Sequence, residues 1–325
     1  MNKASWKNKV VLVTGAGGFK GSHLVEKLSQ TDARIVSLVR DTDPHGYFHT
    51  KALHEKSIVV FGDLKDYRKI ADILSKYEVD TVFHLGAQPI VTTALINPLE
   101  TLESNIMGTI NVLEAARVYA KVSAIVFVSS DKAYGPCKNL PYSEDERLEG
   151  KAPYDVSKSC ADLISQVYAR PDVYDMPITI ARCANVFGPG DSNMNRIIPG
   201  ALEAVIKNTP LRIRSDGKLV REYIYVKDTI DGYIALAENM DKVRGQAFNL
   251  ASGYKMNVTE VVERISRALD KPIRMEILNE AQAEIPEQYL DGSKIKQTIA
   301  WAPTTSFEEA IKETFLWYNR ILHRE

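Results

Sequence analysis

VVLVTGAGGFKGSHLVEKL, residues 10–28, is the stretch of sequence that decides the fold. Its first five residues form an apolar run with three valines, which predicts a buried strand over 10–14. A glycine-rich loop follows directly, and apolar residues then recur at steps of three and four, which predicts a helix over 18–29. A strand, a glycine loop and a helix in this order predict the opening unit of a doubly wound α/β fold.

Beyond this unit, short apolar runs alternate with longer amphipathic segments. Further strands are predicted at 35–39, 58–61, 81–84, 125–129 and 178–182. Further helices are predicted at 67–75, 98–119 and 153–169. The alternation predicts a parallel sheet with helices on both faces, which is the Rossmann fold.

The composition of the sequence changes after residue 185. Loops rich in Gly, Pro and Asn separate shorter elements there, and an amphipathic helix is predicted at 306–322. We therefore predict a dinucleotide-binding domain over 1–185, with return segments near 222–250, and a smaller lobe over 186–325 that mainly binds substrate.

The composition excludes several classes of function. Lys plus Arg total 41 against 42 Asp plus Glu, so a large surface for nucleic acid or anionic lipid is not expected. No apolar run approaches the roughly 18 residues of a membrane span, and three widely spaced cysteines favour a cytoplasmic location. His45, His49 and His54 have no acids or cysteines at matching spacing, so no metal site is expected.

The glycine loop has the composition of a pyrophosphate cradle. Gly15, Gly18 and Gly21 would allow a tight turn and close backbone approach, and the helix beginning there offers free N–H groups. At the end of the second strand, Arg40 precedes Asp41. An acid there would bind the ribose 2′-hydroxyl of NAD and an arginine the 2′-phosphate of NADP. Because the arginine comes first, NADP is favoured over NAD, with a solvated strand-end charge as the alternative reading of Arg40.

Asp63 follows the third strand in FGDL, residues 61–64. It is placed to reach the adenine amino group of a bound dinucleotide. Its alternative role is that of a cap for the helix that follows.

Tyr154 and Lys158 are four residues apart at the start of a predicted helix, so they share one face of it. An ammonium group beside a phenol would lower the pKa of the tyrosine from about 10 and make it a base for an alcohol proton. The same spacing also occurs on solvated helices, so this pair must be weighed together with other motifs.

Several motifs together resemble the extended short-chain dehydrogenase/reductase family. They are TGAGGFKG at 14–21, HLGAQ at 84–88, NIMGT at 105–109, SSDKAYG at 129–135, YDVSK at 154–158, RCANVFG at 182–188 and REYIYVKD at 221–228. The resemblance implies an NAD(P)-dependent enzyme that forms a homodimer through the helices at 98–119 and 153–169.

The resemblance also implies roles for individual residues. Tyr154 would be the acid/base, Lys158 would bind the nicotinamide ribose, and Ser130 would hydrogen-bond the substrate oxygen. The implied cofactor contacts are Gly15, Gly18, Phe19, Lys20, Gly21, Asp63, Leu64, Ala87 and Asn105. The implied substrate contacts are Gln88, Asn185, Arg196 and Arg221. Two arginines and an amide suit a nucleotide-sugar diphosphate, with surface ion pairs as the alternative for the arginines.

The residues after Ser130 resemble those of sugar 4,6-dehydratases, which place an acid and a base there. With FKG at 19–21 and HLGAQP at 84–89, they are most similar to CDP-glucose 4,6-dehydratases. Asp131 would then be the acid and Lys132 the base that eliminate water across carbons 5 and 6. Alternatively, Lys132 would only stabilise the enolate electrostatically. An inverting UDP-N-acetylhexosamine dehydratase, a 4-epimerase, a 4-ketoreductase and a non-catalytic dinucleotide sensor remain alternatives.

Overall fold

A computed structural model of the chain describes residues 3–137, 139–280 and 285–323. The strands are β1 (Val10–Thr14), β2 (Arg34–Val39), β3 (Ile58–Phe61), β4 (Thr81–His84), β5 (Ala124–Val128), β6 (Ile178–Cys183), β7 (Asn185–Phe187), β8 (Leu211–Ile213), β9 (Val220–Tyr225), β10 (Ala247–Leu250), β11 (Lys255–Asn257), β12 (Met275–Ile277) and β13 (Glu287–Gln288).

The α-helices are α1 (Phe19–Leu28), α2 (Tyr47–Thr50), α3 (Tyr67–Tyr77), α4 (Val91–Ile96), α5 (Pro98–Leu102), α6 (Gly108–Tyr119), α7 (Pro153–Ala169), α8 (Ile197–Lys207), α9 (Val226–Glu238), α10 (Met240–Val243), α11 (Val258–Leu269), α12 (Ser293–Ile299) and α13 (Phe307–Leu322). Short 3₁₀ turns cover Lys3–Trp6, Leu53–Glu55 and Asp131–Tyr134.

Seven parallel strands form the central sheet in the order β10-β6-β5-β4-β1-β2-β3. Val11, Leu12 and Val13 of β1 are completely buried, because β1 lies inside the sheet with helices on both faces. The order of strands reverses beside β1, which pairs with β2 on one side and β4 on the other. The predicted doubly wound fold is confirmed. Ligands of such sheets bind outside the carboxyl ends of the strands at this reversal.

The helix predicted over 98–119 is confirmed in its bounds, but it is not α-helical throughout. Asn97 caps α5 by accepting a hydrogen bond from the Glu100 N–H, but the turn Glu103–Met107 is a π-helix before α6 begins. This wider turn carries Asn105, whose side chain bonds to the backbone of Gln88 and to Ser157. These buried hydrogen bonds stabilise the extra residue in the turn, a feature that often marks functional positions.

A second region contains small sheets and three packed helices. Strand β9 pairs with β7, β11 and β13, while β8 pairs with β12. Helices α8, α11 and α13 pack against one another beside them. Strand β10 lies in the central sheet although it comes after residue 186. The division of the chain at residue 185 stays a prediction.

One cluster of buried residues continues from the central sheet into the second region. It includes Val11 and Leu24 at one end and Phe307 and Tyr318 at the other. The Tyr318 hydroxyl donates a hydrogen bond to the backbone carbonyl of Asp191. Within the described ranges, no helix has the length and apolarity of a membrane-crossing segment. The cytoplasmic location stays a prediction.

Candidate active site

The site is built where β1, β4 and β5 end beside each other in the sheet. The loop after β5 turns directly into the 3₁₀ turn Asp131–Tyr134. Ser130 stands in extended backbone before this turn and caps it, because its Oγ accepts a hydrogen bond from the Lys132 N–H at 3.2 Å. The turn therefore presents Ser130, Asp131 and Lys132 together at the sheet edge.

The carboxylate of Asp131 contacts the side chains of both Ser130 and Lys132. Ser130 Oγ donates to Asp131 Oδ1 at 3.0 Å, and Lys132 Nζ lies 3.2 Å from Asp131 Oδ2. Asp131 is almost fully buried, whereas the Lys132 side chain keeps about a fifth of its surface exposed (22%). The three residues therefore form a hydrogen-bonded cluster in which the Lys132 side chain is partly exposed and the Asp131 side chain is buried.

Tyr154 and Lys158 both lie in the first turns of α7, which confirms that they share one helical segment. The Ser130 hydroxyl lies close enough to Tyr154 to lower the pKa of its phenol, and Lys158 Nζ donates to the backbone carbonyl of Val128 at 3.1 Å. The side chains of Tyr154 and Lys158 are buried. The structure thus brings Ser130 of the β5 loop close to Tyr154 of α7.

The expected lowering of the tyrosine pKa is wrong for this structure. Burial raises the pKa of Tyr154 to about 12, although the positive charge of Arg196 and the hydrogen bond with Ser130 oppose the rise. Burial also lowers the pKa of Lys158 to about 7, and the nearby positive charge of Lys20 lowers it further. Desolvation is the largest cause of both pKa shifts.

The loop after β1 has two positions at which no side chain larger than that of glycine fits. Gly15 has φ +67°, and a Cβ there would lie 2.7 Å from Gly86 Cα. A Cβ on Gly21 would lie 2.1 Å from the Gly15 carbonyl oxygen. Gly18 precedes α1 without a side-chain cap, so the first N–H groups of α1 have no side-chain acceptor at the cap. Backbone donors therefore face the cleft, as pyrophosphate binding requires.

Phe19 and Lys20 begin α1. The Phe19 ring packs edge-on against His23, with ring centroids 5.8 Å apart. Lys20 Nζ lies 3.5 Å from the Tyr233 hydroxyl, which in turn contacts Cys183 Sγ at 3.0 Å. Burial lowers the pKa of Lys20. Lys20 thus adds a second buried amine close enough to Lys158 to affect its pKa.

Arg40 lies at the end of β2 with about half of its side chain exposed. Its Nε contacts Asp41 at 2.7 Å and its Nη1 contacts Glu100 at 3.2 Å. Lys65 binds the other oxygen of Glu100 at 2.8 Å. The guanidinium is thus available at the sheet edge but is shared between two carboxylates.

Asp63 does not cap the following helix, because Asp66 does so by accepting a hydrogen bond from the Lys69 N–H at 3.0 Å. Asp63 instead accepts from the Lys65 N–H at 2.9 Å. The helix-cap alternative for Asp63 is therefore wrong. The carbonyl of the neighbouring Leu64 accepts a hydrogen bond from Asn111 at 2.8 Å, which fixes this loop against α6.

Asn105 connects the β4 loop to α7. Its Oδ1 accepts from the Gln88 N–H at 2.7 Å, and its Nδ2 donates to Ser157 Oγ at 2.8 Å. The Gln88 carboxamide bonds to Thr101 and to the Ile90 backbone, so both of its polar atoms already have partners in the protein. Ala87 is half-buried between these contacts. The substrate role of Gln88 stays a prediction.

A cavity of about 690 Å³ is lined by all three residues that are expected to bind a diphosphate. Asn185 donates to the Glu222 carbonyl at 3.1 Å, and Arg196 contacts the buried Asp191 at 2.9 Å. Arg221 donates to the Val220 carbonyl at 2.9 Å. Arg212 and Arg214 also line this cavity. The structure therefore collects four arginines around one concave surface, and the charge of Arg196 reaches Tyr154.

A further residue of the site lies outside every motif. Gln288 of β13 contacts both Lys132 and the backbone of Asp131, although it is more than 150 residues away along the chain. Only its place on a two-residue strand brings it to the site, and nothing in the local sequence marks it. Among the residues that the structure describes, no cluster of three or more His, Cys, Asp or Glu is arranged to hold a metal.

A family model described as GDP-mannose 4,6 dehydratase matches residues 12–314. The chain belongs to this family. The CDP-glucose 4,6-dehydratase of Salmonella typhimurium is one relative of this chain, and the two sequences are 27% identical over 344 residues. The match covers 100% of this chain and 94% of that protein. Membership of the extended short-chain dehydrogenase/reductase family is therefore confirmed.

Two solved structures resemble the chain over nearly its whole length. A UDP-glucose 4-epimerase from Thermotoga maritima, solved with UDP-glucose, has a TM-score of 0.86 and 26% identity and covers 96% of this chain and 99% of its own. A dTDP-glucose 4,6-dehydratase from Streptomyces venezuelae, solved with NAD bound, has a TM-score of 0.85 and 25% identity and covers 96% and 97%. The proteins that this chain resembles thus include both dehydratases and epimerases.

Proposed function

We propose that the chain is a nucleotide-sugar 4,6-dehydratase, which converts a nucleoside-diphosphate hexose into a 4-keto-6-deoxy sugar and water. One observation carries the proposal: Ser130, Asp131 and Lys132 form a hydrogen-bonded cluster close enough to Tyr154 to act on its pKa. When a bound nicotinamide takes the hydride, oxidation of an alcohol needs only a hydroxyl and an acid/base from the protein, whereas elimination of water needs an additional acid and base. The family membership and the similarity to a CDP-glucose 4,6-dehydratase support the same reading.

A dinucleotide fits the loop after β1. At Gly15 and Gly21 the backbone is bare where a Cβ would clash, and α1 begins there with free N–H donors. Gly15, Gly18, Phe19, Lys20 and Gly21 would hold the pyrophosphate, and Asn105 and Lys158 would line the nicotinamide half. When bound, the nicotinamide would take a hydride from carbon 4 and return it to carbon 6.

The side chains of the cluster divide the proton transfers. In its phenolate form, which the positive charge of Arg196 favours, Tyr154 accepts the proton of the carbon 4 hydroxyl, while Ser130 holds that hydroxyl by a hydrogen bond. The ketone that forms at carbon 4 acidifies the proton on carbon 5. Lys132 removes that proton, and Asp131 donates a proton to the carbon 6 hydroxyl, which leaves as water. The 3.2 Å contact between Asp131 and Lys132 supports this division of roles, because it keeps the two groups next to each other.

The cavity beside this cluster suits the diphosphate of the substrate. Arg196 and Arg221 offer guanidinium groups and Asn185 an amide, and all three line one concave surface. Arginine forks pair well with phosphate oxygens. Because the charge of Arg196 also acts on Tyr154, a diphosphate at this cavity would place the hexose next to the oxidation site.

The position of Arg40 favours NADP over NAD. Its guanidinium stands at the end of β2, where a 2′-phosphate would lie, and a phosphate dianion would compete with Asp41 and Glu100 for it. The relative from Streptomyces venezuelae was solved with NAD, so NAD is the competing cofactor.

We also propose a homodimer through the face formed by α4, α5, α6 and α7. These helices expose an unusual amount of apolar surface, with Ile96 at 85% and Leu99 at 65% exposed. The other exposed apolar residues of this face are Leu95, Met107, Val118, Val156, Leu163 and Val167. Apolar residues gathered on one face of a monomer mark an association surface.

Incubation with CDP-glucose, UDP-GlcNAc, GDP-mannose and dTDP-glucose, followed by mass spectrometry, tests the proposed reaction. We expect one of these substrates to lose one water without net reduction of the cofactor. An isomer of unchanged mass would contradict dehydration and favour a 4-epimerase. A product reduced at the expense of NADPH would favour a 4-ketoreductase.

A further inference from the structure

Gln288 belongs to none of the motifs, yet its carboxamide contacts Asp131 and Lys132, which the elimination requires. Its side chain is 1% exposed. Its Oε1 accepts a hydrogen bond from Lys132 Nζ, and its Nε2 donates to the backbone carbonyl of Asp131 at 3.0 Å. We propose that Gln288 is a positioning residue that aims the Lys132 amine at the carbon 5 proton. This role rests on the proposed dehydration.

The Gln288 carboxamide can make both contacts at once, because it carries an acceptor oxygen and a donor nitrogen. An ammonium or amine offers donors to a neighbour, so its partner must be an acceptor, while the Asp131 carbonyl accepts and therefore needs a donor. A carboxylate would supply only acceptors, and an aliphatic side chain would supply neither. The carboxamide oxygen must face Lys132 for the same reason.

The two acceptors around Lys132 fix the direction of its lone pair. Gln288 Oε1 and Asp131 Oδ2 both lie within hydrogen-bonding distance of Nζ and come from different elements of the fold. A neutral amine has two N–H bonds and one lone pair in a tetrahedral arrangement. When both N–H bonds are held, the lone pair can point only along the remaining direction. Gln288 therefore orients the atom that receives the proton.

Strand β13 holds Gln288 rigidly. It pairs in parallel with β9, where Gln288 stands opposite Arg221. Just beyond it, the Leu290 N–H donates to the buried carboxylate of Glu222 at 2.9 Å, and the Tyr289 carbonyl accepts from the Tyr142 N–H at 2.9 Å. The base is thus anchored to the same strand pair that carries Arg221 on the wall of the substrate cavity.

The neutrality of Gln288 matters in a crowded electrostatic environment. The charge of Asp131 acts on Lys20, Glu222, Tyr142 and Tyr154, all around the same cluster. A carboxylate at position 288 would add a second negative charge beside Lys132 and hold a proton on its nitrogen. It would also face the Asp131 carbonyl without a donor. Gln288 fixes the geometry without adding this charge.

The test uses the full-length protein with its bound cofactor and three variants: Gln288→Glu, Gln288→Met and the matched control Glu287→Gln. Glu287 lies on the same strand but is exposed. Trace labelling with acetic anhydride over a pH series, read by peptide mass spectrometry, gives the pH at which Lys132 becomes reactive. This readout needs neither substrate nor turnover.

We expect Gln288→Glu to move the midpoint of Lys132 labelling upward by about one pH unit, because a nearby opposite charge favours the protonated form. We expect Gln288→Met to lower the kcat of dehydration about 10- to 100-fold with less than a twofold change in KM, because the loss is one of orientation. Glu287→Gln should match the parent in both measurements.

An unchanged labelling midpoint in Gln288→Glu, or a parental kcat in Gln288→Met, overturns the role of Gln288. If Gln288→Met does not fold, as judged by circular dichroism, the labelling of Gln288→Glu decides alone. If the parent dehydrates no nucleotide hexose, the proposed function fails, while the labelling experiment still decides whether Gln288 controls the proton on Lys132.

Discussion

The buried Lys158 makes the stability of the protein depend on pH in a way that one substitution isolates. Burial lowers the pKa of Lys158 from 10.5 to about 7 in the folded protein. Between these two values the unfolded chain binds more protons than the folded one, so the free energy of unfolding rises with pH. Lys158→Met removes this dependence, because methionine fills a similar volume and does not titrate.

The expected size follows from the same two pKa values. At pH 7 the buried lysine destabilises the fold by about 4 kcal/mol relative to a lysine with an unshifted pKa, and at pH 9 by about 2 kcal/mol. The parent should therefore gain about 2 kcal/mol of stability over Lys158→Met between pH 7 and pH 9.

Urea unfolding followed by tryptophan fluorescence, on protein stripped of nucleotide, measures the difference between parent and variant at each pH. Groups common to both proteins cancel in this difference. A difference that stays constant from pH 7 to pH 9, or that moves against the parent, would show that Lys158 is not desolvated in the fold. The account of the raised pKa of Tyr154, which rests on the same burial, would then also fail.

Four other substitutions test the proposed roles. Asp131→Asn and Lys132→Met should each lower dehydration at least 100-fold while cofactor affinity by calorimetry stays within twofold of the parent; dehydration at the parental rate removes both from the acid and base roles. Arg40→Ser should weaken NADP binding at least tenfold and NAD binding less than twofold, and equal losses for both cofactors would make Arg40 a solvated charge. Leu99→Glu should convert the dimer to a monomer in light scattering, whereas the control Tyr174→Glu should not; a parent that is already monomeric contradicts the interface.

Much of the central sheet follows from the sequence because its strands are buried on both faces. The predicted bounds of β1, β3 and β4 agree with the structure, and those of β2, β5 and β6 differ only by a residue or two. The turn at Gly15 was also predictable, because a left-handed φ of +67° and a close backbone approach both demand glycine.

The features that the sequence did not reveal depend on distant contacts. The π-helix around Asn105 is stabilised by Gln88 and Ser157, which come from other elements. The pKa of Tyr154 rises because the folded protein desolvates the phenol, which spacing on a helix does not report. Gln288 reaches Lys132 only through the pairing of β13 with β9.

The central claim is an elimination coupled to an internal return of hydride, and the fate of the hydrogen on carbon 4 tests it most directly. The measurement is mass spectrometry and NMR of the product formed from a nucleotide hexose deuterated at carbon 4. We predict a product lighter by one water whose deuterium is found at carbon 6. Deuterium that remains at carbon 4 in a product of unchanged mass would contradict the dehydratase and identify an epimerase instead.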